Sequence, residues 1–130
     1  MTSRRRSWER FARVARRWGT TAWTGSISDE FHAPGVPLDD PEQAQVIVRS
    51  YLRRHPALVA HWARYLGDRR SSPSPVFTQE RTYFFDPTSD PMETEVVHHP
   101  DAASACADYV VREAFWVLER RRVGGERDPG

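Results

Sequence analysis

His98, His99 and Asp101 stand close together in the chain, with Cys106 five residues beyond Asp101. Imidazole, carboxylate and thiolate all ligate zinc, but this run lacks the spaced pairs of a structural site, and adjacent strand residues point to opposite faces. A thiol near a helix N-terminus can be activated as a nucleophile. Cys106 falls instead on the apolar arc of the helix expected to carry it, where a thiol is inert packing. His55 and His61, six residues apart, would sit about 240° from each other on a helix and share no ligand face. Asp29, Glu30 and His32 could do acid–base work only with a partner group from elsewhere. No residue is therefore assigned a catalytic or metal-binding role, and no cofactor is implied.

Two other sets are suited to binding. Tyr109, Arg112, Trp116 and Arg120 fall within roughly 180° to 260° at 100° per residue, a stripe of the residue types that dominate binding hot spots. If no other element covers it, this stripe is a face for a protein partner or a second copy of the chain; the competing arrangement is a three-layer fold that buries both rings. Arg6, Arg10, Arg13 and Arg17 cluster on the back of an N-terminal amphipathic helix, where guanidinium groups could lie along phosphates. The competing reading is a helix face that is solvated or paired with the protein's own acids.

Composition narrows the chemistry further. The 130 residues suit one domain, 1–130. All 19 basic residues are Arg and none is Lys, a usage expected of a high-GC bacterium or its phage. Schiff-base chemistry and a GxxxxGK[ST] phosphate loop both require the missing lysine. The seven glycines contain no GxGxxG, and one cysteine allows neither an internal disulfide nor a CxxC motif. Charge comes in blocks: residues 1–18 hold seven Arg and one Glu, residues 19–48 five acids and no Arg, residues 49–77 six Arg and one Asp, and residues 78–108 seven acids and one Arg. The net charge is only +1, so the fold can neutralise itself by setting acidic segments beside basic ones. No transmembrane segment or signal peptide is expected, and a cytoplasmic protein is the default.

The elements that must position these residues follow from caps and periodicity. Ser7 is expected to cap a helix from Trp8 to about Trp18, with residues 1–7 as a loose basic arm and Gly19 as the left-handed stop. Trp8, Phe11, Ala12, Ala15 and Trp18 form its apolar stripe. Thr20–Ile27 has the composition of a short strand, and His32–Leu38 that of a loop. Asp40, Pro41 and Gln43 signal a helix start; Ala44, Ile47, Val48, Tyr51 and Leu52 share its face, and Pro56 opens a second helix to Leu66. Residues 68–75 read as a polar loop. Val76–Phe85 and Met92–His99 read as a β-hairpin across a six-residue turn. His99 or Asp101 caps a long C-terminal helix to about Arg122, with Ala103, Cys106, Ala107, Val110, Val111, Ala114, Val117 and Leu118 on one arc and a frayed tail over 124–130.

The expected architecture is a small single-domain α+β fold: an N-terminal amphipathic helix, a central helix pair, a β-hairpin and a long C-terminal helix. The expected function is a non-enzymatic binding protein of adaptor, inhibitor or immunity type acting by protein–protein contact. The alternatives are a nucleic-acid-binding accessory protein using the N-terminal Arg helix, and a small enzyme using the histidines near the hairpin exit.

Overall fold

Ser3, and not Ser7, caps the first helix: its hydroxyl oxygen accepts the Arg6 N–H at 3.1 Å, and α1 runs Arg4–Ala12. The computed structural model describes residues 3–68 and 73–127, with side chains described as far as residue 119. The loose arm expected over residues 1–7 is thus helical from Arg4 onward. A cation in a first turn opposes the helix dipole. That cost is offset by the forked ion pair of Arg4 with Asp39, whose Nη2–Oδ2 distance is 2.9 Å. Ser7 lies buried inside the helix it was expected to cap.

The expected helix also ends early. After Arg13 the chain tightens into a 3-10 turn, Val14–Arg17, in which the Arg16 N–H donates to the Arg13 carbonyl at 3.0 Å. Gly19 then takes the left-handed stop with φ +78. The strand expected over Thr20–Ile27 is a loop and a helix start. The Glu30 carboxylate accepts the N–H groups of Thr24 and Gly25 at 2.9 and 3.2 Å, which occupies donors a neighbouring strand would have used. Ser26 forms a capping box with Asp29 and opens α2, Ile27–His32.

The central pair forms as its caps predict. α3 runs Pro41–Arg54 with Asp40 accepting the Gln43 N–H at 3.1 Å, and α4 runs Ala57–Asp68 directly after Pro56. Ala44, Val48, Leu52, Leu58, Trp62 and Tyr65 are buried. Of the expected polar loop, residues 69–72 lie outside the described residues, while Ser74 and Pro75 already belong to β1, Ser74–Thr78.

Val76–Phe85, expected as one strand, is folded in two. β1 turns at Gln79 and Glu80 into β2, Arg81–Phe85, and the DPTSDP turn leads on to β3, Glu93–His98. The three strands pair antiparallel in the order β1-β2-β3. Gln79 has φ 48, a left-handed conformation that usually selects Gly or Asn, so the Gln-Glu pair carries no turn signal.

Asp101 accepts the Ser104 N–H at 2.8 Å and starts α5, Ala102–Arg127, a helix about 39 Å long at 1.5 Å per residue. The helix passes through Gly124 and Gly125, where a frayed tail was expected, and residues 128–130 lie outside the described residues. α5 is the middle of three layers: the sheet packs on one side, and α2, α3 and α4 on the other. Tyr109 shows this directly, since its ring meets Trp62 of α4 at 6.1 Å and Phe77 of β1 at 5.0 Å. Beneath α5, Phe11, Phe31, Trp62 and Tyr65 form a continuous aromatic cluster with ring centroids 4.7 to 6.0 Å apart. The Trp62 indole N–H donates to the Ala12 carbonyl at 2.8 Å, which satisfies a buried donor and ties α4 to α1.

Candidate anion-binding cleft

The 3-10 turn reorganises the arginines. In a 3-10 helix, residues three apart eclipse one another, whereas in an α-helix they diverge by about 60°. Arg13 and Arg16 therefore align with each other, and Arg10 precedes them by three residues in the last turn of α1. The tighter winding also turns Val14 into the core. The result is a concave site of about 310 Å³ lined by Arg10, Arg13, Arg16 and Arg17. Val14 forms part of its lining, and Ala33 and Pro34, just after α2, supply an apolar wall.

The four guanidinium groups are not equivalent. Arg17 pairs with the buried Glu30 at 2.9 Å, and that carboxylate is further held by the Thr24 and Gly25 N–H groups. Among the described residues, Arg10, Arg13 and Arg16 have no carboxylate within ion-pair distance, although the chain holds 18 acids. Several of those acids pair elsewhere. Glu9 takes Arg5 and Arg54, Asp39 takes Arg4, Asp101 takes Arg53, Glu93 takes Arg81, and Asp108 takes Arg112. Self-neutralisation, the competing reading of the basic helix, thus operates at those pairs but does not reach this cleft; among the described residues Arg6, Arg49 and Arg64 likewise have no carboxylate partner.

Of the four arginines expected to bind nucleic acid, Arg10, Arg13 and Arg17 line the cleft, and Arg6 lies outside it on the exposed side of α1. Arg16 was missed because continuous α-helical periodicity sets it about 60° away from Arg13. The signal that could have found it is the RRW-G ending, Arg16 to Gly19, since short 3-10 turns are frequent at helix C-termini.

The described part of the protein-binding stripe is buried at Tyr109 and half-buried at Arg112 and Trp116. Tyr109 is fully buried between α4 and β1, and Trp116 packs edge-on against Phe84 of β2 at 5.0 Å. Arg112 is tied down as well: its Nε donates to Asp108 at 3.0 Å and its Nη1 to the Glu95 carbonyl at 3.0 Å. The side chain of Arg120 lies outside the described residues. The sheet, doubled by the Gln79 turn, is the element that covers this side of α5.

The histidines separate. His98 is exposed, while His99 turns inward, its Nε2 lying 2.7 Å from Thr82 Oγ1 and 3.0 Å from Asp108 Oδ2. A hydroxyl, an imidazole and a carboxylate meet here, but both partners share one ring nitrogen. A relay that activates a nucleophile needs them on opposite nitrogens. Asp108 also accepts from Gln45 at 3.1 Å and from Arg112, so the group acts as a polar clamp joining α3, α5 and β2. Asp101 is a helix cap; chiefly the Ser104 backbone N–H, then its side chain and Arg53, hold its carboxyl below the usual range. Cys106 is fully buried, and burial pushes its thiol far above the ordinary range, which removes the thiolate a nucleophile or metal ligand requires.

Comparisons of the chain with family models, with curated proteins and with solved structures found no match. Among the described residues, no helix is long and apolar enough to cross a membrane.

Proposed function

We propose that this is a non-enzymatic binding protein whose contact surface is the arginine face of α1 and the following 3-10 turn, and whose partner is a phosphate-bearing polyanion, nucleic acid in the cytoplasm of a bacterium or its phage. One observation carries the reading. In a chain of net charge +1, several of whose acids pair with arginines elsewhere, Arg10, Arg13 and Arg16 line one cleft with no carboxylate partner among the described residues. Cations gathered without counter-charge repel one another, and a bound anion relieves that repulsion. Arg6, Arg10 and Arg13 span about 10 Å along α1, a row that can follow successive phosphates of a strand. No aromatic ring among the described residues lines the cleft, which favours contact to the backbone with little base preference. Protein–protein contact through Tyr109 and Trp116 has less to support it, since Tyr109 is buried and Trp116 half-buried.

The test is fluorescence anisotropy of a labelled single-stranded 20-mer against protein at several salt concentrations. Affinity is expected to fall linearly with log salt. The triple variant Arg10→Gln, Arg13→Gln, Arg16→Gln should flatten that slope by about 2, since each phosphate contact on a single strand contributes roughly 0.7. No binding at low salt, or a slope unchanged in the triple variant, overturns the proposal.

A further inference from the structure

A nucleic-acid strand lying along α1 does not need a recess, yet the basic face has one, half open to solvent. The cleft holds about 310 Å³. A continuous duplex presents a convex rod and cannot enter a space of that size. A group projecting from the end of a chain can.

The chemistry of the lining selects among such groups. Three arginines, Arg10, Arg13 and Arg16, line the site without acid partners among the described residues, whereas Arg17 is held by Glu30. A phosphodiester offers one negative charge and two non-bridging oxygens. A phosphomonoester offers about −1.5 to −2 at pH 7 and three strong acceptor oxygens, and arginine can hold such oxygens in pairs. Three unpaired forks therefore match the monoester better in both charge and acceptor count. On the opposite wall, Pro34 has no N–H and the Ala33 side chain is a methyl group, so these side chains add no competing charge.

We propose that the cleft seats a phosphomonoester group, presented by the phosphorylated end of a nucleic-acid strand that continues along α1 past Arg6. This rests on the nucleic-acid reading for the source of the phosphate, but not for the seat itself. A free phosphate or a small phosphorylated molecule would present the same chemistry, and the arms of the experiment separate the two sources.

The full-length protein is titrated against one labelled single-stranded 12-mer made in three forms: 5′-phosphate, 3′-phosphate, and hydroxyl at both ends. Calorimetry with inorganic phosphate and pyrophosphate runs alongside. At least a tenfold preference for one phosphate-ended form is expected. In Arg13→Gln/Arg16→Gln that preference should disappear, while Arg6→Gln, outside the cleft, should weaken all three forms alike and keep it. Both variants alter exposed or part-exposed side chains, and a circular dichroism melt matching the parent's confirms that each is folded. Equal affinity for all three forms overturns the seat and leaves the nucleic-acid reading standing. Pyrophosphate binding lost in Arg13→Gln/Arg16→Gln, with no oligonucleotide bound, supports the seat and overturns the nucleic-acid reading. Binding of neither phosphate nor oligonucleotide overturns both.

Discussion

Replacing Tyr109 by alanine tests whether α5 is the middle layer of the molecule. The ring is fully buried and is the point at which α4 and β1 meet through one side chain, with Trp62 at 6.1 Å and Phe77 at 5.0 Å. Neither neighbour can follow the missing ring. Trp62 is anchored by its bond to the Ala12 carbonyl, and Phe77 belongs to a strand paired along its length with β2. The cavity should therefore stay largely open, and the cost should be that of a large core truncation, about 3–5 kcal/mol. Domains of this size have about 5–15 kcal/mol in total, so a large share of the stability would be lost. For 130 residues each kcal/mol shifts the melting temperature by about 3–5 °C, which gives an expected drop of about 10–20 °C. Urea and thermal melts followed by far-ultraviolet circular dichroism read it. Light scattering on the same samples reads association, which should not change. A loss below about 1 kcal/mol, or a change in association with stability intact, would show that Tyr109 is an open binding residue and that the layer assignment is wrong.

Asp108→Ala should cost about 1–3 kcal/mol in the same melts, because it removes the buried carboxylate shared by Gln45, His99 and the part-buried Arg112; a loss of only tenths would mean the clamp is not formed. The Asp101 carboxyl is held below its usual range chiefly by the Ser104 backbone N–H, so its stabilising effect is complete above the unfolded value near 3.9 and is lost as pH falls through the lower folded value. Melting temperature should therefore drop more gently below about pH 4 in Asp101→Ala than in the parent, and parallel acid limbs would refute the assignment.

Where a signal and its partner lie within a few residues, the chain alone determined the outcome. Asp40 with Pro41 and Gln43, Asp101 with Ser104, and the left-handed stop at Gly19 are bonds or dihedrals closed inside one turn. The apolar arc of α5 likewise states which side is buried against helices, because burial on one side leaves a periodic pattern. What covers the other side is decided by β1 and β2, whose Phe77 and Phe84 each lie 32 residues before the ring they meet, and their connecting turn is closed by Gln79 and Glu80, which lack the usual turn chemistry. Tyr109 and Trp116 look the same in sequence whether a sheet covers them or water does. The cleft is also a tertiary outcome. Counting charges shows a basic segment beside an acidic one but cannot say which acid reaches which guanidinium, since Glu30 finds Arg17 and Asp39 finds Arg4 only once α2 and the following loop fold back. The change from α to 3-10 winding after Arg13 brings Arg16 into line with Arg13, and it accompanies the inward turn of Val14 into the core. Local bonds set the elements, and competition among distant partners set which charges were left without one.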